Sequence, residues 1–232
     1  METKAPILTP RLAAAAKFVR SGALVADVGT DHAYLPIALA LAGKLRGAVA
    51  SDINEGPYLR ALQNVKAHSL ADKITVLHTP GLCGVEKYKP TDIVICGMGG
   101  ELIASIINDA EWTKDPSLCL VLQPMTHSEI LREYLLCNNF RIIDEALAKE
   151  EKIYEIICAE YGGDSEPLKY SPAELLVGKK NIERGGVLCD ELCSHHLAIL
   201  KKIANAKNAA SADASKEERL IGELEKLKND SI

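Results

Sequence analysis

The stretch from Val25 to Pro36, VADVGTDHAYLP, decides how this chain is read. A short apolar run closes on Asp27, a glycine follows at Gly29, and a helix has begun by Pro36. Strand, glycine turn and helix in direct succession form the first crossover of a parallel α/β sheet, where such proteins hold nucleotides. A pyrophosphate site clusters glycines there so that backbone N–H groups can approach the phosphates. This turn has Asp31 where another glycine would be wanted.

Outward from that turn the alternation continues. Thr9 and Pro10 predict a helix start and Gly22 a stop, so Arg11 to Ser21 is an expected helix ahead of a strand over Leu24 to Val28. Ala33 to Ala42 is helical, Gly47 to Ser51 is a strand ending at Asp52, and Asn54 caps a helix reaching His68. Strands follow at Ile74 to Leu77, Asp92 to Cys96 and Leu118 to Leu122, with a helix over Glu101 to Asn108 and a second after the THSE capping-box spacing at Thr126 to Glu129. Phe140 to Ala146 and Ile153 to Ala159 are joined by LAKEEK, too short for a helical crossover, so this pair is antiparallel. The fold class is α/β, a mostly parallel sheet covered on both faces.

After YGGDSEP (Tyr161 to Pro167) the pattern becomes purely helical. Leu188, Leu192, His196, Ile199 and Ile203, then Leu220, Leu224 and Leu227, give the apolar spacing of an antiparallel helical hairpin. Two domains are expected, residues 1–163 and 164–232.

With 47% apolar and 25% charged residues the chain has the composition of a folded protein. No apolar run approaches the ~20 residues that span a bilayer, and METKAPILTPRL lacks the basic-then-apolar order of a signal peptide. A cytoplasmic protein without membrane contact is expected, with a monomer as the working assumption. Seven dispersed cysteines, none in CxxC spacing, are expected to be buried thiols. Cys189, Cys193, His195 and His196 share one helix and cannot all converge on a tetrahedral ion, so no metal is expected. The net charge is −5, but residues 165–232 hold eleven basic and eleven acidic groups, so the acidic excess belongs to the N-terminal part.

The carboxylates of Asp27 and Asp31 repel a polyanion at the first crossover and favour a ligand with a cationic head. S-adenosylmethionine is such a ligand, with a sulfonium, an ammonium and one carboxylate beside an adenosine. Asp52, 25 residues after Asp27, stands near the spacing of about 20 expected of an acid that accepts both hydroxyls of a ribose; it also suits a helix cap. GMGG, Gly97 to Gly100, ends the fourth strand, where three glycines either admit a flat ring or simply make a tight turn.

At these residues the chain resembles the bacterial tRNA (adenine(22)-N1)-methyltransferases, a class I S-adenosylmethionine-dependent family. The resemblance spans nearly the whole length and rests on RLAAAAKFV, ADVGTDHAYLPI, ASDINEGPYLRAL, DIVICGMGGELI, LQPMTHSEILREYL and YEII. It implies a Rossmann-like sheet of seven strands with the last antiparallel, and a C-terminal coiled-coil-like hairpin. By position, Asp27, Gly29, Thr30, Asp31 and His32 would line the methionine end of the cofactor, and Asp52 and Ile53 its ribose and adenine. Gly97, Met98, Gly99 and Gly100 would lie where the acceptor ring is placed. Arg11 matches the family's RL and would bind either the cofactor carboxylate or an RNA phosphate. The turn after the third strand, HTPGL, lacks the acid that many class I enzymes offer to adenine, and Met125 in LQPM stands where Asn is expected in some relatives.

The chemistry so implied is methyl transfer to N1 of an adenine in tRNA. N1 carries a free lone pair, so alignment is the main requirement, with Asp31 and the GMGG carbonyls facing the charge that develops and Met98 packed on the ring. His32 is either a proton relay from the product's amino group or a structural histidine. The hairpin lysines, Lys201 and Lys202 among them, are the expected grip on the tRNA body. Rival readings are a methyltransferase of the same fold with a different RNA, protein or small-molecule substrate, a non-catalytic nucleotide-binding protein, and, third, a dehydrogenase, which the missing glycines disfavour.

Overall fold

At the centre of the sheet both strand faces are covered, and the near-continuous apolar runs around Val25, Val94 and Val121 follow from that burial, whereas the outer strand from Phe140 alternates buried and exposed residues. In the computed structural model, which describes residues 4–162 and 169–229, the first compact unit comprises α1 (Pro10–Phe18), β1 (Ala23–Val28), α2 (Tyr34–Leu41), β2 (Leu45–Asp52), α3 (Glu55–Ala67), β3 (Ile74–His78), β4 (Asp92–Met98), α4 (Gly100–Asn108), β5 (Cys119–Pro124), α5 (Ser128–Cys137), β6 (Phe140–Lys149) and β7 (Ile153–Tyr161). The strands form one seven-stranded sheet in the order β3-β2-β1-β4-β5-β7-β6. β1, β2, β3, β4 and β5 pair in parallel, whereas β7 runs antiparallel to both β5 and β6. The expected sheet is therefore present, last strand included.

Strand order reverses at β1, which lies between β2 and β4. A crevice opens at such a reversal because consecutive crossovers leave in opposite directions, and ligands bind there, beyond the carboxyl ends of the strands. Val25, Ile93, Val94, Ile95, Leu120, Val121 and Leu122 fill the centre of the sheet and hold those ends rigidly.

A charged cluster sits inside this unit. Arg132 of α5 is fully buried between Glu145 of β6, at 2.7 Å, and Glu155 of β7, at 2.5 Å. Burial alone would pull the guanidinium pKa down; the two carboxylates more than offset it, and the net shift is upward. Ser128 also donates to Glu155, so the start of α5 is tied to the antiparallel strand pair. The THSE capping box does not form: His127 takes the N-cap position with φ 55°, and the Thr126 carbonyl instead accepts the Gly100 N–H at 2.8 Å.

The chain divides into two units, residues 1–168 and 169–232; the boundary expected between residues 163 and 164 lies outside the described residues. The second unit contains α6 (Pro172–Val177), α7 (Lys179–Arg184), α8 (Val187–Ala209) and α9 (Ser215–Asn229). Ser171 and Glu174 form a capping box at α6. The helical hairpin is present as α8 and α9, with Leu192 and Leu224 of the expected seam buried, but the seam on α8 departs from the expected one at two positions. Cys189, Leu192, Cys193, Leu197 and Ala204 are the buried side of α8, whereas Ile199 and Ile203 are 43% and 40% exposed. Of the seven cysteines Cys83 and Cys137 are exposed, contrary to expectation, because one lies in the loop after β3 and the other in the last turn of α5. Among the described residues no helix is long and apolar enough to cross a membrane.

Candidate active site

The first crossover is tightly wound. Gly29, Asp31 and Ala33 all take positive φ, at 70°, 49° and 56°, a conformation that costs side-chain-bearing residues energy and persists only where the surroundings enforce it. The enforcement is visible: the N–H groups of Gly29 and Thr30 both donate to the Ser51 carbonyl of β2, at 2.8 and 3.0 Å. At Gly29, whose φ of 70° favours glycine, a Cβ would stand 2.2 Å from the Met98 Cε and would displace the thioether that now lies over the turn.

Around this turn lies a cavity of about 360 Å³ lined by Thr9, Arg11, Asp27, Asp31, Tyr34 and Gly97, among others. Asp27 is buried and accepts a hydrogen bond from the Thr30 hydroxyl. Burial pushes its pKa up to about 6, opposed by the Thr30 bond and reinforced by the charge of Asp52; no cation contributes. Cys96 lines the same space, and burial followed by the Asp27 charge raises its thiol far above the ordinary range, so it stays protonated.

Asp31 is less free than the sequence suggests. Its carboxylate is held by Arg60 of α3 at 2.7 Å and lies 3.4 Å from His32 Nε2. His32 in turn stacks on Tyr34 and receives the Asn64 amide on its carbonyl at 2.9 Å. Asp52 is 7% exposed, and its two oxygens accept the N–H groups of Asp31 (3.3 Å) and Asn54 (2.9 Å). It thus ties the crossover to the start of α3 and retains lone pairs for a diol. Ile53 beside it is 61% exposed. Asp52 and Ile53 are not in the lining of the 360 Å³ cavity.

The GMGG turn packs against the β5–α5 loop. A Cβ on Gly100 would stand 2.2 Å from the His127 carbonyl oxygen, and one on Gly99 3.3 Å from the Thr126 hydroxyl. Gly97 has φ 82° and faces the Arg11 guanidinium. The Met98 carbonyl accepts the Met125 N–H at 2.7 Å, so one expected acceptor toward the ring is partly engaged. Lys152 caps this arrangement by donating to the Met125 carbonyl at 2.6 Å.

Arg11 lies in the cavity wall. Its backbone N–H donates to Glu150 and its Nη1 to Gln123 Oε1, both at 2.8 Å. The same Gln123 oxygen accepts the Gly97 N–H at 3.2 Å. Gln123 is fully buried and was not singled out from the sequence, although a glutamine interrupting the apolar run LVLQP was a usable signal. A second cavity, about 450 Å³, lies beyond the turn after β3, lined by Pro80, Gly81, Leu82, Leu102, Ile106 and Trp112 among others. Lys201 and Lys202 are remote in sequence, on α8 of the second unit; Lys201 pairs with Glu225 at 2.7 Å and Lys202 is exposed.

A seven-stranded sheet with its last strand antiparallel, and an acid-bearing crossover short of glycines, define the class as methyltransferase. The family model described as "Methyltransferase domain" matches residues 8–157. The tRNA (adenine(22)-N(1))-methyltransferase of Bacillus subtilis is 38% identical over 156 residues, which span 67% of this chain and 66% of that protein, just under two thirds. The crystal structure of the B. subtilis M1A22 tRNA methyltransferase TrmK superposes with a TM-score of 0.81 at 32% identity, covering 96% of this chain and 98% of that one. Sp1610 of Streptococcus pneumoniae, solved in complex with S-adenosyl-L-methionine, gives a TM-score of 0.83 at 31% identity over 94% of this chain and 99% of that one. The chain belongs to the tRNA (adenine(22)-N1)-methyltransferase family.

Proposed function

We propose that the chain transfers a methyl group from S-adenosylmethionine to N1 of adenine 22 in tRNA. The observation that carries this reading is Asp27: a buried carboxylate facing a cavity, raised to about 6 and without a cation of its own. Such a group is costly in an empty pocket and is relieved by a cationic ligand. Arg11 lines the same cavity, so an amino acid zwitterion finds a partner for each end, its ammonium at Asp27 and its carboxylate at Arg11. The cofactor residues fit on chemistry as well as position.

When bound, S-adenosylmethionine supplies an electrophilic methyl group. Asp27 and Arg11 orient the methionine end, Asp52 accepts the ribose hydroxyls, and Ile53 covers the adenine. The turn Pro80 to Leu82 offers backbone and apolar contact where an acid is absent. Gly97, Met98, Gly99 and Gly100 bound the acceptor side, leaving room for a flat ring. No base is needed, because N1 is unprotonated at neutral pH; the site aligns N1 with the methyl and keeps the Asp27 carboxylate near the charge that appears, while Asp31, paired with Arg60, serves to position His32. His32 is held by Asp31 and Tyr34 as a positioned wall residue, in line with the structural alternative. N1 lies on the Watson–Crick edge, so the base must be extruded to reach the cavity.

Residues 1–163 form the catalytic domain of this reading and residues 164–232 the helical one. Lys202, and Lys201 once it leaves Glu225, contact the phosphate backbone, and the enzyme acts in the cytoplasm where its tRNA substrate resides. Mass-spectrometric mapping of tRNA treated with the protein and cofactor tests the reading: methyl on N1 of adenine 22 supports it, and methyl elsewhere or none defeats it.

A further inference from the structure

Tyr34 opens α2 directly after the left-handed Ala33, and its side chain belongs to the cavity wall although 40% of the residue remains exposed. Its ring lies parallel to the His32 imidazole, centroids 4.9 Å apart and planes at 10°. That stack is braced from α3. The His32 edge lies 3.4 Å from Asp31, Asp31 is gripped by Arg60, and Asn64 holds the His32 carbonyl. An aromatic ring backed by a second ring, held in place by an ion pair and still open to solvent in a cavity that Gly97 also lines, is a preformed stacking surface.

We propose that Tyr34 is the platform on which the extruded adenine stacks, and that its π face stabilises the positive charge the base acquires during methylation. The inference rests on the function proposed above. The N1 lone pair forms the new C–N bond, the C–S bonding pair stays with sulfur, and the charge passes to the base with no proton moved. A neutral adenine on Tyr34 gains ordinary stacking, about 1 to 3 kcal/mol. A cationic 1-methyladenine gains the ring quadrupole as well. The contact therefore strengthens along the reaction, and interactions that strengthen in the transition state act on kcat. Asp31, neutralised by Arg60, holds the far edge of the stack in place.

The test replaces Tyr34 with phenylalanine as the reference and then with mono-, di- and trifluorinated phenylalanines, which withdraw electron density from the ring at nearly constant shape. Single-turnover methylation at saturating tRNA is expected to fall stepwise with fluorine content, by about tenfold over the series. Cofactor affinity by calorimetry is expected to stay constant throughout. Tyr34→Leu is expected to lose about 10- to 100-fold in rate, and with it the quenching of 2-aminopurine placed at the target position of tRNA, measured without cofactor. A flat or rising fluorine series, retained quenching in Tyr34→Leu, or cofactor affinity falling in parallel with rate overturns the proposal. Failure of the unaltered protein to methylate tRNA overturns the functional reading itself, whereas an active protein with a flat series removes Tyr34 alone.

Discussion

Replacing Asp27 with asparagine separates what this carboxylate does for the fold from what it does for the ligand. Its pKa stands at about 6 against an ordinary 3.8, with burial as the leading cause. At about 1.36 kcal/mol for each pKa unit, the ionised form burdens the ligand-free fold by about 3 kcal/mol. A raised pKa means that the folded state holds the proton more tightly than the unfolded chain. The contribution of Asp27 to stability is thus fully present below pH 3.8 and is lost as pH rises through about 6. Asparagine can still accept the Thr30 hydroxyl but carries no charge. Asp27→Asn is therefore expected to be more stable than the parent by up to about 3 kcal/mol at pH 7.5, or roughly 6 to 12 °C in Tm, with the difference closing toward pH 4. Its affinity for S-adenosylmethionine should fall at least about 30-fold, since removing one partner of a buried charge pair costs about 2 to 5 kcal/mol. Thermal unfolding across pH and calorimetric titration read both. Parallel stability profiles for the two proteins, or an unchanged Kd, would refute the reasoning.

Arg11→Ala should raise the cofactor Kd by about 10- to 100-fold, the range of charged hydrogen bonds, with little change in the KM for tRNA; the opposite pattern in steady-state kinetics would move Arg11 to the RNA phosphate. Lys201→Glu with Lys202→Glu should raise the KM for tRNA and reduce its salt dependence while calorimetry shows the cofactor bound as before, and an unaltered KM would remove the hairpin from the RNA-binding model. Glu155→Ala leaves Arg132 buried with one carboxylate fewer and frees Ser128. It is expected to cost about 3 to 5 kcal/mol in urea unfolding, and a loss below 1 kcal/mol would mean that Arg132 is solvated by other means.

Much of the architecture was legible because α/β sheets leave a strong periodic trace. The strands expected at residues 47–51, 74–77 and 92–96 are short apolar runs set off by turn residues or helices, and the LAKEEK connection excluded a helical crossover before β7. The hairpin was legible as helices, and Leu192 and Leu224 of the expected seam are buried, but Ile199 and Ile203 are exposed. Leucine and isoleucine spacing pointed to residues 188, 192, 196, 199 and 203, yet Cys189, Cys193, Leu197 and Ala204 are also on the buried side, and small side chains at helical spacing do not stand out in a pattern read from the large apolar residues. THSE failed because His127, in a left-handed conformation, takes the N-cap position, and Thr126 before it belongs to a loop that pairs with Gly100, a residue 26 positions away.

At the site the division is similar. Asp27, Gly29 and the scarcity of further glycines follow from the chain alone, because like charge and missing backbone room are local properties. The partners of those groups are not local. Arg60 neutralises Asp31 across 29 positions, and Gln123 joins Arg11 to Gly97 across strands. Sequence by itself determined the element types, the sheet class and the sign of the ligand's charge, since each depends on residues within a turn or two. Only tertiary structure decided which carboxylate lacks a cation, which ring is backed by another, and which side of α8 is covered, because burial and pairing are set by groups the chain brings together from far apart.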